Sequence, residues 1–585
     1  MFVPTPLQTK LFPCDNKYNQ REIYDLEKSW AHVIKDKVLP YFAVLEFEFA
    51  RFFHKTMGRP IKYISLLIVV HIFKEMYDWS DEELLANIRF DKRFEYAFEL
   101  PYHELTVCQK TLHNFRMLIQ SHEMGHTIFD RGTKHIARIF NIDTSKQRLD
   151  STHIISNMAR LSRLALFVRV IENFLFKLKK LDTQAYDSLP KRFLQRYGKR
   201  RGYFADARSQ KSKHRLGEAA NDMYYLIDRF SAHGLLSSLK VTAQLKRVFH
   251  EQCSIRQVEE TSEDVVEVLE NDLIASGTSS IPPSRHDNQT TQQTKPVVEQ
   301  ISQAVVKQAN ELPSGTLQNP SDEDVTCGYK GPGYEATFTE TCCKENPFQV
   351  ITDVQVDPSD HSDQHKTLDV VDRLSTKQMK PEQLHTDGGF TSGENIADCA
   401  DKGVNLQGNL VGVDKEPDKL KLVDFEFARD QITLLSCPAG KKPVAQKREK
   451  SRKSKSKSQR SFLVYFDLAQ CQRCALVTDC PVKLQKKQAV VRFSRAQLIS
   501  SKRRREQQTD IFKEQNKIRA GIESTNAEMK KSQGLAKLRV RGQPRVTQTV
   551  CFKALACNIK RMVKYVQSRP KIDLKFENEP TFATI

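Results

Sequence analysis

No stretch of this 585-residue chain is both long enough and apolar enough to cross a bilayer. The most apolar run, Ile64 to Phe73, is about half of the roughly 20 residues that a spanning helix needs, and Ser65 and His71 interrupt it. The opening residues, Met1-Phe2-Val3-Pro4-Thr5-Pro6, lack a basic segment followed by an apolar one, so no secretory signal is expected there. A disulfide framework is also missing. The cysteines number 13, an odd count, and all but four are scattered along the chain. Such usage points to a reducing interior, and the expected location is cytoplasmic. An interleaved aromatic and basic platform, which would suit a single-stranded RNA binder, is not found either.

Positive charge is what the chain has in excess. The formal net charge is +20, which favours a polyanionic partner, with acidic membrane surfaces as the rival. Apolar residues make up 39% of the chain, sufficient for globular folding. Its length exceeds one compact core, and about two to four domains are expected.

Residues 1–125 read as helical. Tyr24, Leu26, Trp30, Val33, Ile34, Val38 and Leu39 are spaced like one helix face, and Phe42, Leu45, Phe47 and Phe52 continue the pattern. Ile61 to Met76 is apolar nearly all round, which predicts a buried central helix. Ser80-Asp81-Glu82-Glu83 is a capping box, and Thr106 with Gln109 repeats the device. Arg51, Lys55, Arg59, Lys62 and Arg89 are either DNA contacts or ordinary solvated charges. Asp150 follows, on a short strand from Gln147 to Ile155. Helical spacing then runs through Leu161, Phe167, Ile171, Phe174 and Leu178, and again through Tyr224 to Phe230 and Leu245 to Phe249. From about Ser276 to Asp324, Ser, Thr, Gln, Asn and Pro dominate and periodicity fades, so this segment reads as a mobile linker.

Order returns with a hairpin, Glu335 to Thr341 and Phe348 to Val356, then a helix from Asp360 to Gln378. In Gln383-Leu384-His385-Thr386-Asp387-Gly388-Gly389-Phe390-Thr391-Ser392 a strand stops at an aspartate. The two glycines are expected to turn the chain with positive φ, and Ser392 or Thr391 to cap a helix starting near Glu394. Asp387 thus lies at the carboxyl end of a strand, where α/β folds place their chemistry. A strand at Val404 to Val411 completes the order of a ribonuclease H-like sheet, interrupted after its first strand.

Two aspartates on neighbouring strands need a third carboxylate to hold divalent metal. Glu523 is the candidate, on a long polar helix expected to run from near Ser501 to just before Gly534. Ile518 and Ile522 give that helix an apolar edge, and Arg519, Glu523 and Lys530 share one face. An ordinary surface Arg–Glu–Lys ladder has the same spacing. Carboxylates suit the chemistry because Mg²⁺ prefers hard oxygen ligands and keeps positions open for water and phosphate.

Taken together, Leu149-Asp150-Ser151-Thr152-His153-Ile154, Asp387-Gly388-Gly389-Phe390 and Arg519-x₃-Glu523-x₆-Lys530 resemble the three motifs of a DDE transposase of a bacterial insertion sequence. Family members often carry Tyr three residues before the Arg, where this chain has Asn516. Arg59-Pro60, Trp79 to Leu84 and Thr111 to Arg116 resemble the helical domain that precedes this core. The resemblance implies an α/β fold: a ribonuclease H-like mixed sheet with helices, preceded by an all-helical domain and interrupted by insertions.

The expected domains are a helical, DNA-binding 1–125; catalytic core 143–157 and 326–412; helical insertion 158–275; linker 276–325; insertion 413–500 with the basic run and cysteines; core helices 501–570; and a tail, 571–585. The resemblance further implies that Asp150, Asp387 and Glu523 bind Mg²⁺ (or Mn²⁺), and that Arg519 and Lys530 position DNA phosphates. Arg503, Arg504 and Arg505 join them as candidate DNA contacts. The implied activity is metal-dependent cleavage of transposon ends and strand transfer into target DNA. Implied partners are double-stranded DNA (terminal inverted repeats and target) and further copies of the chain, near the nucleoid. A catalytically inactive or domesticated DNA-binding derivative and a ribonuclease H-like nuclease without strand transfer are the alternatives.

Cys471-x₂-Cys474 is a usual zinc half-site, with Cys437 and Cys480 as candidates for the remaining ligands; scattered reduced thiols are the alternative. Between them lies an almost wholly basic run, Lys441 to Arg460, which reads as a tether for the DNA backbone.

Overall fold

The computed structural model describes residues 2, 17–55, 57, 63–100, 107–198, 203–204, 209–260, 299–413, 416–449, 458 and 460–569. The chain divides into two compact units, Met1–Asn157 with Gly333–Ile585, and Met158–Pro332.

Helix α1 (Ile64–Tyr77) is the buried central helix of the N-terminal region, with every residue from Ile64 to Phe73 buried. An element apolar on all sides has no face to offer water, so other helices must surround it. Helix α2 (Asp81–Phe90) opens with the expected capping box: the Ser80 hydroxyl accepts from the Glu83 N–H at 3.1 Å and the Glu83 carboxylate accepts from the Ser80 N–H at 2.7 Å. Helix α3 (Gln109–Ser121) starts after Cys108, which makes no side-chain cap. Thr106, Arg59 and Lys62 lie outside the described residues. Helix α4 (Met124–Ile139) completes this layer.

The central sheet is built from β1 (Lys146–Ile154), β2 (Gly331–Thr341), β3 (Ile351–Pro358), β4 (Gln383–Thr386) and β5 (Asn405–Gln407). Pairing gives the spatial order β3-β2-β1-β4-β5, antiparallel on the β3–β2–β1 side and parallel through β1–β4–β5. Parallel neighbours need crossover connections. Helices α5 (Asp363–Thr376) and α6 (Gly393–Asp401) supply them, one before and one after β4. This mixed sheet has the strand order expected of a ribonuclease H-like core. Alternation along β1 sets its two faces: Gln147, Leu149 and Ser151 point to one, Arg148, Asp150 and Thr152 to the other.

The long polar helix expected from Ser501 is broken into pieces. Helix α7 (Arg495–Glu506) ends where the Thr509 hydroxyl accepts from the Phe512 N–H and caps helix α8 (Asp510–Asn516). A threonine that captures a backbone amide competes with helix continuation. A tight 3₁₀ turn, Lys517–Ala520, leads into helix α9 (Gly521–Ser532). Helix α10 (Gln543–Ser568) then packs between the N-terminal helices α1 and α4 and strand β3. Its Lys553, 1% exposed, reaches Glu75 at 2.9 Å and Asp78 at 3.1 Å, pinning the end of α1.

Between β5 and α7 sits a small sheet of β6 (Ala445–Arg448), β7 (Ser461–Phe466), β8 (Lys483–Leu484) and β9 (Ala489–Ser494), ordered β6-β7-β9-β8. Most of the rest of the basic run lies outside the described residues.

In the second unit, helices Arg163–Leu181, Ser209–Arg229 and Lys240–Gln252 enclose an apolar core around Phe167, Phe174, Met223 and Leu245. The expected linker is not featureless where it is described. Glu299–Val306 forms a strand paired antiparallel with Cys253–Glu260, with Ala304 buried and its N–H donated to Asn221 Oδ1 at 2.8 Å. Residues 276–298 of that linker lie outside the described residues.

His71 lies within α1, its Nδ1 2.7 Å from the Leu67 carbonyl and its ring near those of Phe115 and Phe552. Burial lowers its pKa from 6.5 to about 4. The unfolded chain therefore takes up a proton below about pH 6.5 that the folded chain refuses until about 4, and stability falls across that window. Chemical denaturation at pH 7 and pH 5 is expected to show this loss in the wild type and a smaller one in His71→Leu; equal losses would count against His71 as a source.

Candidate functional site

The last recorded pair of the parallel β1–β4 ladder is Leu149 with Thr386. One step further along both strands stand Asp150 and Asp387. Paired residues of parallel neighbours point the same way, and the buried Leu149 and Thr386 occupy the opposite face. The two aspartates are thus brought to adjacent positions at one end of the sheet. Asp387 leaves the ladder in consecutive turns (Phe390 N–H to Asp387 C=O at 3.1 Å, Thr391 N–H to Gly388 C=O at 3.2 Å), and the Gly388 N–H donates to its carboxylate at 2.6 Å. Ser392 caps α6, accepting from the Asn395 N–H at 3.1 Å.

The glycines work differently from the expectation. Neither Gly388 nor Gly389 has positive φ. A Cβ on Gly388 would lie 2.8 Å from Val411 Cγ2 and 3.1 Å from the Asn409 carbonyl, so that position is glycine because the 409–411 segment crosses close above it.

The third carboxylate arrives on α9, whose buried stripe is Ile522, Thr525, Asn526 and Met529. The helix is seated on β1 by a network under its first turns. Glu340 of β2 has no exposed surface. It accepts from Arg148 Nε at 2.7 Å, from Thr525 Oγ1 at 2.7 Å and from Arg561 Nη1 at 2.5 Å. Arg148 also donates to the Ile518 carbonyl at 3.2 Å. A Cβ on Gly521 would stand 1.8 Å from Arg148 Nη1, so the guanidinium slides under the helix start only because Gly521 has no side chain.

With the helix seated, Asn526 Nδ2 donates to Asp150 Oδ2 at 3.1 Å. Glu523 lies one turn earlier, on the same side. Its side chain is 61% exposed and paired with Arg519 at 3.3 Å. Arg519 in turn lines a cleft of about 270 Å³ that holds Asp387, together with Asn409, Lys513, Asn516 and Lys517. His385, two residues before Asp387, is buried; burial, then the cations Lys146 and Arg148, lower its pKa to about 4, so it stays neutral near pH 7.

The structure therefore brings Asp150, Asp387, Arg519 and the Glu523 helix to one end of the sheet. Among the described residues no three His, Cys, Asp or Glu side chains stand close enough together to hold a metal ion as placed. Glu523 is paired with Arg519. The donor chemistry nonetheless suits a hard divalent cation. Beside the two aspartates, the Asn526 amide oxygen is buried with no hydrogen-bond partner.

The arginine run divides by role. Arg503 is 5% exposed and donates to the Gly408 carbonyl at 2.9 Å and the Leu406 carbonyl at 3.0 Å, with its plane over Phe512. It ties α7 to β5 and cannot meet DNA, which corrects its place among the expected phosphate contacts. Arg504, half-buried, donates to the carbonyls of Gly412 and Val411, and Arg505, exposed, pairs with Asp424. Lys530 is half-buried on the same helix as Glu523.

Sequence reasoning missed Asn526, Arg148, Glu340 and Arg561. Arg148 and Glu340 carried a signal: each sits on the site face of an expected strand, where a buried charge must find partners. Asn526 could have been found by its helical spacing from Glu523.

The four grouped cysteines, Cys437, Cys471, Cys474 and Cys480, all line one cavity in the 413–500 insertion.

The family model of the transposase DDE domain matches residues 436–563, a stretch that holds Arg519, Glu523, Lys530 and the four cysteines. This match supports the resemblance of its motifs to DDE transposases and, in general terms, a transposase function. No curated protein and no solved structure matches the chain.

Replacing Glu340 by alanine leaves two largely buried guanidinium groups without their carboxylate. Removing one partner of a buried charge pair costs about 3–5 kcal/mol. Glu340→Ala is expected to lose stability of that order in chemical denaturation; a loss below about 1 kcal/mol, as at a surface pair, would show that the network does not seat α9.

Proposed function

We propose that this chain is an active DDE transposase of the bacterial insertion-sequence type, with Asp150, Asp387 and Glu523 as the ligands of catalytic Mg²⁺ or Mn²⁺. The observation that carries this reading is the parallel β1–β4 register, which sets Asp150 beside Asp387 under the helix that bears Glu523. When bound, such ions activate the attacking oxygen and stabilise the leaving one in phosphodiester displacement. The side chains divide the remaining work. Asn526 holds Asp150 by its amide. Arg519, in the cleft with Asp387, and Lys530, one face along the same helix, grip the phosphates of the DNA strand. No protein nucleophile is needed: water cuts at the element end, and the freed 3′-hydroxyl attacks the target strand. The substrates are the element's terminal inverted repeats and a target duplex, held by two or more copies of the chain.

Asp150→Asn, Asp387→Asn and Glu523→Gln are each expected to bring Mg²⁺-dependent cleavage of the element's ends to background while leaving duplex binding within about threefold, since they remove metal ligands and not cations. Cleavage and strand transfer are followed on labelled end duplexes with a supercoiled target plasmid. Wild-type cleavage in any one variant would remove that residue from the site. End cleavage without joining to the plasmid would favour a nuclease, and duplex binding without cleavage by the wild type an inactive derivative.

A further inference from the structure

The insertion between β5 and α7 holds a feature that the transposase reading does not use. Its own apolar core consists of seven buried residues, Phe425, Leu434, Val464, Phe466, Ala489, Val491 and Phe493. A core this small rarely holds a fold without a staple such as a metal or disulfide. Next to it lies a cavity of about 30 Å³, room for one ion-sized occupant, walled by Cys437, Cys471, Cys474 and Cys480 among apolar side chains.

These cysteines differ from the others in the interior. Cys253, Cys342, Cys343, Cys399, Cys551 and Cys557 are fully buried, as free thiols that pack like small apolar groups usually are. The four in the insertion are half-buried and grouped, although they come from three separate places in the chain. The backbone around them is shaped for sulfur. After Cys437 the chain turns back through Gly440, at φ +71°, and the Lys441 N–H donates to Cys437 Sγ at 3.3 Å. Cys471 lies in the short helix Leu468–Gln472, and the Cys474 N–H donates to the Cys471 carbonyl at 3.2 Å, folding the pair into one turn.

We infer that Cys437, Cys471, Cys474 and Cys480 bind a structural zinc ion that staples the insertion and so fixes the strands flanking the basic run. Four thiolates on a closed, tetrahedral site leave no open position, so this ion takes no part in the phosphodiester chemistry. As placed, the four thiols line the cavity without forming one ligand sphere.

The test is the metal content of the full-length chain purified in reducing buffer with Zn²⁺ supplied. About one zinc per chain is expected. It should be lost in Cys471→Ser/Cys474→Ser, and retained in Cys108→Ser/Cys327→Ser, whose thiols are exposed elsewhere. It should also be retained in Asp387→Asn, which separates this site from the catalytic one. Because the double variant can fail to fold, the wild-type chain is also stripped with chelator and titrated with Co²⁺; an intense sulfur-to-cobalt charge-transfer band with tetrahedral d–d bands is expected. A zinc-free wild type showing no cobalt–thiolate band would overturn the inference, and so would undiminished zinc in a folded Cys471→Ser/Cys474→Ser chain.

Discussion

A carboxylate with no access to water, that of Glu340, ties together four parts of the chain that are remote in sequence. Its partners come from β1 (Arg148), α9 (Thr525) and α10 (Arg561). An isolated charge in that position would cost several kcal/mol to desolvate, so the strands and helices that supply its partners must come together as a set. The network fixes where α9 crosses the sheet, and hence which residues of α9 meet Asp150. Asn526 lands on the Asp150 carboxylate and Glu523 falls at the solvent-facing border. Gly521 is the steric condition for this, because Arg148 passes through the space any side chain there would fill.

The same topology explains how a long insertion is tolerated between β1 and β2. These strands are antiparallel neighbours, and Ile154 at the end of β1 pairs with Tyr334 near the start of β2. The chain leaves and re-enters the sheet at adjacent points. Whatever is inserted there leaves the ladder intact, much as loop tips accept inserted domains. Gly333 marks the re-entry: a Cβ would stand 2.5 Å from the Ile154 carbonyl. The second insertion follows β5, an edge strand with only β4 as a neighbour, and returns through α7, where Arg503 clamps the carbonyls of Leu406 and Gly408.

What could be read from the sequence is what depends on local periodicity. The strand carrying Asp150, the hairpin after it, the crossover helix, the Ser392 cap and the all-round apolar α1 follow from alternation, helical spacing and capping chemistry. What could not be read depends on a neighbour remote in sequence. Gly388 looks like a turn glycine, yet its reason is the later segment at 409–411 passing overhead. Arg503 looks like its neighbours Arg504 and Arg505, yet its position on α7 turns it inward onto β5. The polar stretch from Ser501 to Gly534 looks like one helix because its composition favours helix throughout. The cap at Thr509 and the 3₁₀ turn Lys517–Ala520 divide it. Asn526 could be placed one helical turn from Glu523 by spacing, but its bond to Asp150 is visible only once the helix is seated.

The burial of Arg503 also bears on how a chain of such positive charge would grip DNA near its carboxylates. Net charge counts cations without asking which are already engaged. Arg148, Arg503 and Arg561 are held in the interior by carboxylates and carbonyls, and a polyanion cannot draw them out without breaking the sheet's supports. The cations in the cleft with Asp387 are of another kind. Lys513 and Lys517 are exposed and engaged in short-range pairs with Asp510 and Glu514, three residues away in each case. Such surface pairs contribute roughly 0–1 kcal/mol and are weakened by salt, so a phosphate competes for them at little cost. Arg519 sits between the two kinds: it is a quarter exposed, and its partner is Glu523 itself. A phosphate taken up by Arg519 would release the Glu523 carboxylate from its ion pair. The pairing of Glu523 with Arg519 keeps both groups satisfied at the edge of the cleft.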